Sequence, residues 1–491
     1  MRCTRVLHPH RTIAVVALAT TAIVGMPVAA LAAWPQFQGS GGHDGISDGP
    51  TAPLTIAWRN RDITLEGSNT SGGLSSPVVA DDGTIVTVAP TAVLGFASTD
   101  GSPTFTVDRD FGPSAQPAIA DGPDGPIVVY TEGYGDNPPT GSATPSPPPS
   151  PDGGGFESHV NAISLATGKH VWDSPAQLDE IVVAPVAADE RSAYVADVGG
   201  MVTAVDLQDG SVRWTAHLPS PTVSAVTVAG DVVLAATQGD RDVPAAVVAL
   251  GADDGKERWR GTADDVSNIV SAPVLADGRI FVLDALGGLA AFDADGGKEL
   301  WRTEVRDPLA GGGLFPSQGV YTTAPVSADG QVFAVDGSGR AFAFEAETGA
   351  VLWDFALNDA APGVPPLLTD RYLLVPASSG VLFAVGRRTG HLAWRTSPAG
   401  LGLRGLADAG DVLVAVAELS DPEIVAFEAD PDGTLLDEPS PTEFDLGQLL
   451  AGFALGGLTT AAAAFLIARP LHRRLGPSPV TSVDAEREEE P

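Results

Sequence analysis

A short pattern that returns at regular intervals constrains the fold of this chain more than any other feature. In six copies, an alanine is followed six residues later by glycine and ten residues later by tryptophan. The copies run from Ala162 to Trp172, Ala204 to Trp214, Ala249 to Trp259, Ala291 to Trp301, Ala343 to Trp353 and Ala384 to Trp394. Successive tryptophans lie 41 to 52 residues apart, which is the length of four short strands with their turns. The repeat predicts an all-β propeller with four-stranded blades.

The copy around Trp301 shows how the strands are predicted. Residues 288–293 alternate like a pleated strand, Gly297 supplies a turn, and residues 298–301 return as the partner strand. Four copies also have a proline before an earlier apolar stretch, and proline cannot donate a hydrogen bond to a neighbouring strand. These prolines are Pro77, Pro185, Pro273 and Pro325. We therefore expect them at the start of the innermost strand, beside a central channel.

Two irregular copies complete the count of blades. Gly95 to Phe105 fits the pattern with phenylalanine in place of tryptophan, and Val412 to Glu428 is interpreted as three strands of a last blade. The fourth strand of that blade is expected at Leu54 to Trp58, near the other end of the chain. Pairing of the two ends would close the ring and remove exposed sheet edges. The prediction is an eight-bladed propeller over residues 33–440, or seven blades if Gly95 to Phe105 is not a separate blade.

Both ends of the chain carry membrane signals. Residues 1–32 contain arginines, an uncharged stretch and a final Ala30-Leu31-Ala32, the order of a cleavable secretory signal peptide. Residues 446–468 carry no formal charge and are long enough for one transmembrane helix. Acids precede this segment and arginines follow it, so residues 469–491 are expected to form a cytoplasmic tail. The prediction is a single-pass protein of the cell membrane with its propeller outside; an uncleaved N-terminal anchor and a buried C-terminal helix are the alternatives.

Small residues recur in the predicted transmembrane helix. Gly452 and Gly456 are followed at the same spacing by Thr460 and Ala464, a stripe that lets two helices approach closely. This pattern suggests self-association or docking to another membrane protein. The other interpretation is that small residues are common in any alanine-rich span.

The repeats resemble those of the pyrroloquinoline-quinone-like (PQQ-like) propeller superfamily, which includes quinoprotein dehydrogenases and the outer-membrane assembly lipoprotein of Gram-negative bacteria. The opening Trp34-Pro-Gln-Phe-Gln-Gly39, with His43 and Gly45, is similar to the start of many such domains. The likeness is closer to the non-enzymatic assembly type than to the enzymes. It implies that the repeated tryptophans pack between neighbouring blades as docking residues. These are Trp58, Trp172, Trp214, Trp259, Trp301, Trp353 and Trp394.

The same resemblance makes a quinone-dependent dehydrogenase the enzymatic alternative. Those enzymes hold PQQ beside a Ca²⁺ ion bound by carboxylate and amide oxygens, use an aspartate base, and in several cases place adjacent cysteines against the cofactor. Here the only cysteine, Cys3, lies in the predicted signal peptide. Asp293-x-Asp295-Gly296 and Asp430-x-Asp432-Gly433 resemble fragments of calcium loops but coincide with turns of the repeat.

The remaining candidates for chemistry form no recognisable group. The five histidines of the predicted propeller are scattered without the spacing of metal ligands; they are His43, His159, His170, His217 and His391. We therefore predict no catalytic, cofactor-binding or metal-binding residue, and no cofactor. Residues 136–155 are rich in proline, serine and glycine, which predicts a disordered loop within the second blade.

Charge narrows the classes of partner. The chain has 27 basic and 62 acidic residues and a formal net charge of −35. Such a surface repels phosphate backbones, so nucleic acid is not an expected partner. We predict a non-catalytic extracytoplasmic propeller, tethered to the cell membrane, that acts as a scaffold by binding a protein or polymer of the cell envelope. The alternatives are the quinone-dependent dehydrogenase and a membrane-anchored sensor.

Overall fold

The computed structural model describes residues 34–63, 73–133, 158–220, 224–239, 243–262, 269, 271–284, 288–304, 324–336, 339–357, 359, 364–396, 402–418 and 422–436. These residues belong to one compact unit that ends at Leu436. They form 32 strands in eight four-stranded sheets, and each sheet is one blade. The predicted all-β, eight-bladed propeller is confirmed, and the seven-bladed alternative is wrong.

The first four blades follow the chain in order. Blade 1 contains β2 (Val78–Val79), β3 (Thr84–Ala89), β4 (Ala92–Ala97) and β5 (Pro103–Asp108), and blade 2 contains β6 (Ala118–Gly122), β7 (Gly125–Glu132), β8 (Ser158–Ser164) and β9 (Ala176–Leu178). Blade 3 contains β10 (Ala187–Ala188), β11 (Ser192–Ala196), β12 (Met201–Asp206) and β13 (Val212–His217), and blade 4 contains β14 (Thr227–Ala229), β15 (Val232–Thr237), β16 (Ala246–Gly251) and β17 (Glu257–Thr262).

The remaining blades continue the series, and the last one joins the two ends of the propeller. Blade 5 contains β18 (Val274–Ala276), β19 (Arg279–Leu283), β20 (Gly288–Asp293) and β21 (Glu299–Glu304), and blade 6 contains β22 (Val326–Ala328), β23 (Gln331–Val335), β24 (Arg340–Glu345) and β25 (Val351–Ala356). Blade 7 contains β26 (Leu367–Leu368), β27 (Tyr372–Pro376), β28 (Leu382–Gly386) and β29 (Leu392–Arg395), and blade 8 contains β30 (Gly402–Asp408), β31 (Leu413–Glu418), β32 (Glu423–Ala429) and the N-terminal β1 (Leu54–Asn60).

The first strand of each blade is the innermost. Contacts between β30, β2, β6, β10, β14, β18 and β22 pass from one first strand to the next around the axis. In three of the four copies, the first strand begins directly after the proline, at Val78, Val274 and Val326. The predicted place of the prolines, at the start of the innermost strand, is therefore correct.

The ring closes through β1 and β32. Their antiparallel pairing runs from Leu54 opposite Ala429 to Asn60 opposite Ile424. The buried carboxylate of Glu423 lies 3.0 Å from Arg59 Nη1 and 3.2 Å from Arg61 Nε, so charge pairing adds to the backbone ladder. The predicted closure of the ring by its two ends is confirmed.

One predicted boundary is wrong. Val412 to Glu428 contains only β31 and most of β32, and the third strand of blade 8 is β30, which lies before it. The pairing of β30 with β31 shifts register between Leu403 and Leu406, so the strand carries a bulge. Gly405 in this bulge faces Ser76, whose Oγ would be 2.5 Å from an added Cβ. Gly405, which this close approach requires, made the strand hard to predict from the sequence.

Six tryptophans lie over a glycine in the turn between the third and fourth strands of the next blade. The pairs are Trp58 with Gly101, Trp172 with Gly210, Trp214 with Gly255, Trp259 with Gly297, Trp301 with Gly349 and Trp353 with Gly390. All six glycines have positive φ, and an added Cβ would stand 2.4–2.7 Å from the nearest ring carbon. The indole face therefore fits only against a residue that has no side chain.

Most of these indoles also form a hydrogen bond across the blade boundary. The Nε1 group of Trp214 donates to the Ala252 carbonyl at 2.8 Å, and that of Trp353 donates to the Arg387 carbonyl at 2.9 Å. Trp58, Trp172 and Trp301 donate in the same way to Ser98, Leu207 and Ala346. Trp394 is 9% exposed within a core cluster that includes Leu406 and Val412 of the blade 7–8 boundary. These contacts support the docking role, which remains a prediction.

The predicted signal peptide (1–32), the Pro-rich loop (136–155), the transmembrane helix (446–468) with Gly452 and Gly456, and the tail (469–491) lie outside the described residues. No helix among the described residues is long and apolar enough to span a bilayer.

Two glycines of blade 4 allow a matched test of the indole contact. Gly255 and Gly230 both have φ of +64°, but only Gly255 faces a ring, that of Trp214. We expect Gly230→Ala to lower the free energy of unfolding by about 1 kcal/mol, the cost of a left-handed backbone for alanine. Gly255→Ala should lower the free energy of unfolding by a further ~1–3 kcal/mol, because the added methyl group overpacks the contact with the ring. Urea unfolding of the purified protein measures both values, and equal losses would contradict a stabilising role of the contact.

Candidate functional site

Residues 34–49, here named the axial segment, bind the innermost strands of all eight blades. At blade 1, Trp34 and Val79 exchange two main-chain hydrogen bonds of 2.9 and 2.8 Å. At blade 2, the Ile119 amide donates to the Pro35 carbonyl at 2.7 Å. At blade 3, the Gln36 side-chain amide both accepts from the Ala188 N–H at 3.0 Å and donates to its carbonyl at 3.3 Å. The first three residues of the segment therefore form hydrogen bonds with the inward-facing edges of the innermost strands.

The middle of the axial segment contacts blades 4, 5 and 6. The carbonyl of Gly41 accepts from Val228 N at 2.9 Å, and that of Gly42 accepts from Leu275 N at 3.3 Å. Gln38 Nε2 donates to the Pro325 carbonyl at 3.1 Å, directly before β22. Blades far apart in sequence are thereby tied to one continuous stretch of chain.

The end of the axial segment contacts blades 7 and 8. Leu368 N donates to the Gly45 carbonyl at 2.9 Å, and Ser47 N donates to the Leu368 carbonyl at 2.8 Å. The Asp408 carboxylate accepts from Ser47 Oγ at 2.7 Å and from Gly49 N at 2.9 Å. These bonds give the inward-facing edges of the innermost strands partners from the chain itself.

Small residues make room for the axial segment. Phe37 is 3% exposed and packs against Ala225, Ala272, Val274 and Ala324, the inner residues of blades 4, 5 and 6. Gly45 has φ of +66°, and an added Cβ would lie 2.4 Å from Val326 Cγ1. The opening motif quoted from the sequence thus fills the centre of the ring.

His43 is the most perturbed titratable group of this segment. It is fully buried, packs edge-on against Phe37 with ring centroids 5.0 Å apart, and places Nδ1 3.1 Å from Thr227 Oγ1. Burial lowers the pKa of His43 to about 3, although a hydrogen bond with the Pro273 backbone partly offsets this shift. The imidazole is therefore neutral at physiological pH and serves packing rather than proton transfer.

The cavity described beside the axial segment is small. The cavity lined by Trp34, Phe37, Gln38, Leu367 and Leu406 has a volume of about 20 Å³, enough for one water molecule. Cofactor pockets enclose roughly 300–1,000 Å³. Asp408, the carboxylate that meets the axial segment, already accepts bonds from Ser47, Gly49 and Gly410. This cavity and this carboxylate therefore do not fit PQQ with Ca²⁺.

A larger depression lies off the axis, between blades 1 and 2. We name it the blade 1–2 groove; it has a volume of about 290 Å³. Its apolar wall consists of Pro35, Ile119, Pro126 and Leu165, and its acidic rim consists of Asp81, Asp82 and Asp121. The three aspartates are exposed. A ligand that joins an apolar group to a positive charge would match this lining.

The groove opens on a face that is acidic in every blade. The turns between first and second strands share one end of the antiparallel sheets with the turns between third and fourth strands. Each first turn carries at least one aspartate; these are Asp81, Asp124, Asp189, Asp231, Asp277, Asp329, Asp370 and Asp411. We call this surface the acidic face.

Other residues singled out from the sequence lie apart from both features. Asp293 Oδ1 accepts from the Asp295 and Gly296 amides, and Asp430 Oδ1 accepts from the Asp432 amide, so both calcium-like fragments are hydrogen-bonded turns. His217 and His391 are exposed on separate blades. The motif of the axial segment is visible in the sequence. No sequence pattern marks the groove, because it forms only when two blades meet.

The buried imidazole predicts a pH dependence of stability. Because the unfolded chain binds a proton near pH 6.5 and folded His43 only near pH 3, stability falls as the pH drops below 6.5. Between pH 6.5 and 5, we expect wild type to lose about 2 kcal/mol more than His43→Gln. The pKa of Asp44 is raised by burial, so its titration changes stability with pH in the opposite direction. This contribution is the same in both proteins. Parallel curves of unfolding free energy against pH would contradict this origin.

Comparison with known proteins places the fold in a family. Residues 157–342 and 285–438 match the family model described as outer membrane protein assembly factor BamB. The chain is 25% identical to BamB of Yersinia pestis over 247 residues, which cover 48% of this chain and 56% of that protein. It is 26% identical over 305 residues to a polyvinylalcohol dehydrogenase of Pseudomonas sp, with coverage of 46% and 47%.

A solved structure gives the same architecture. BamB from Moraxella catarrhalis superposes with a TM-score of 0.54 at 16% identity, covering 77% of this chain and 98% of that one. At this identity the likeness shows the fold alone, and the chain spans about half the length of the curated relatives quoted above. Because the family matches together take in more than half of the chain, this protein belongs to the family of PQQ-like β-propellers described by the assembly factor BamB.

Proposed function

We propose that this protein is a non-catalytic propeller of the cell envelope, tethered to the cell membrane, that binds a protein partner through its acidic face. The observation that carries the proposal is the axial segment, which bonds to all eight blades and leaves an axial cavity of about 20 Å³. With the centre filled by the chain itself, recognition would use the outer surface of the disc, of which the acidic face carries the blade 1–2 groove.

The proposed location of the protein rests on the sequence of its two ends. A secretory signal in residues 1–32 and a transmembrane helix in residues 446–468 would place the propeller outside the cytoplasm and residues 469–491 inside. The helix would then act as the tether, with Gly452 and Gly456 available for association with a second helix. A sensor role would require the short tail to pass a signal inward.

The partner is proposed to be a protein with a basic segment. The blade 1–2 groove joins an apolar wall to three exposed aspartates, a match for an arginine or lysine beside an apolar side chain. The aspartates of the other blades extend the same negative potential around the face. Complementary charge of this kind raises association rates and selects the orientation of the partner.

The quinone-dependent alternative has one supporting observation, the similarity to a polyvinylalcohol dehydrogenase. Reconstitution of the purified protein with PQQ and Ca²⁺, followed by dye reduction with alcohols, tests it directly. Turnover above that of free PQQ would favour this alternative over the binding function.

Photocrosslinking in intact cells tests the docking face. A photoreactive amino acid in place of exposed Pro126, at the groove, should yield a protein adduct. The same residue in place of Ser378, exposed in a turn between second and third strands on the opposite face, should yield none.

Charge reversal supplies the control for the groove. Combined Asp81→Arg and Asp121→Arg substitutions should lower the adduct yield at position 126 by about tenfold, because like charges in an interface cost several kcal/mol. An adduct only at position 378, or a yield unchanged by the reversal, would contradict the proposed face.

A further inference from the structure

Three side chains that commonly bind metal ions meet at the boundary of blades 1 and 2. Asp110 follows β5 of blade 1, Glu132 ends β7 of blade 2, and His159 lies in β8. One ligand atom from each lies within 4.8 Å of the other two. Asp110 is exposed, His159 is half-buried and Glu132 is only 7% exposed. The group therefore has a buried base and an opening to solvent.

The backbone holds these three residues in place. Glu132 and His159 stand directly opposite each other in the β7–β8 pairing. The amide of Asp110 donates to Glu132 Oε2 at 3.1 Å, and Asn161 Nδ2 donates to Glu132 Oε1 at 3.1 Å. Each carboxylate oxygen keeps a further lone pair for an ion. This arrangement fixes the carboxylate in the way that outer-shell hydrogen bonds fix metal ligands.

Arg109 holds the two blades together beside the group. Its guanidinium donates to the Ala89 carbonyl of blade 1 at 2.8 Å and to the Thr131 carbonyl of blade 2 at 2.5 Å. It also donates to the carbonyls of Gly112 and Pro113. The loop that carries Asp110 is therefore fastened against β7.

A buried tyrosine lies beside the group on β7. Tyr130 projects from the same side of β7 as Glu132, two residues away. It is fully buried, and its hydroxyl has no hydrogen-bond partner among the described residues. Burial, and after it the charge of Glu132, raises the pKa of Tyr130, with smaller effects of Arg109 and Asp110. A buried hydroxyl without a partner is costly, so a bound water in this part of the blade boundary would stabilise it.

We propose that Asp110, Glu132 and His159 bind one divalent transition-metal ion, of the class of Zn²⁺ or Mn²⁺, between blades 1 and 2. One imidazole nitrogen with two carboxylates suits this class, whereas Ca²⁺ and Mg²⁺ prefer oxygen alone. Three protein ligands leave at least one coordination position for water. Because its ligands come from two blades, the ion joins them and stabilises the folded chain over the unfolded one.

Titration calorimetry of chelator-treated, full-length protein with Zn²⁺ tests the site. We expect one ion per chain and a higher unfolding temperature when Zn²⁺ is present. Asp110→Asn and His159→Ala should each weaken binding at least about tenfold, and both positions are accessible enough for the fold to be kept. His217→Ala, which removes an exposed histidine on blade 3, is the matched control and should bind as wild type does.

Spectroscopy separates this site from adventitious binding. Co²⁺ added in place of Zn²⁺ should give a visible absorption band that Asp110→Asn and His159→Ala abolish and His217→Ala retains. An absence of stoichiometric binding, or an affinity unchanged in both variants, would overturn the site. Equal or tighter binding of Ca²⁺ would overturn its assignment to a transition-metal ion.

Discussion

An indole ring that lies flat on a glycine links each of six blades to the next. The contact needs a glycine at positive φ, because any Cβ would stand 2.4–2.7 Å from the ring. In five of these boundaries the indole also donates to a carbonyl of the neighbouring blade. Since tryptophan and glycine occupy fixed positions in the repeat, the same contact recurs at each of these boundaries. Blade 1, with Phe105 packed on its own Gly95, departs from this rule, and β1 supplies Trp58 to its boundary with blade 8.

A ring built in this way has two sets of strand edges to protect. The outer fourth strands are exposed at the circumference, where they carry charged residues such as Glu257 and Arg260 of β17. The inner edges face one another across the axis, and the axial segment pairs with them. Its order of contacts follows the ring from Val79 in blade 1 to Asp408 in blade 8, apart from the early reach of Gln38 to blade 6. The N-terminal residues thus contribute twice to the fold, as the axial segment and as β1.

Periodicity in the sequence predicted local elements well because their causes are local. β20 begins and ends at Gly288 and Asp293 as expected, and the Asp277-Gly278 turn has both residues at positive φ, at 49° and 72°. β30 was missed because its bulge contains Gly405, which is required by contact with Ser76 of another blade. The partners of the axial segment and the meeting of Asp110 with His159 depend on blade packing, which no spacing rule encodes.

The aspartates of the acidic face fall into two groups, and only one of them points to a binding site. Some carboxylates of this face hold their own turns: Asp100, Asp209 and Asp254 accept from the amide two residues later. Hydrogen bonds from the Ser102 and Ser211 side chains, and after them these amide bonds, lower the pKa values of Asp100 and Asp209. For Asp254 the amide bond is the largest cause of the lowered pKa. Asp329 is paired with Arg387 at 2.8 Å. Negative charge at these turns therefore follows from the way the blades fold. Asp81 and Asp121 differ because they flank an apolar depression, and a partner that binds there gains from charge and burial together. It is this combination, rather than the total charge of −35, that distinguishes one boundary of an otherwise repetitive ring.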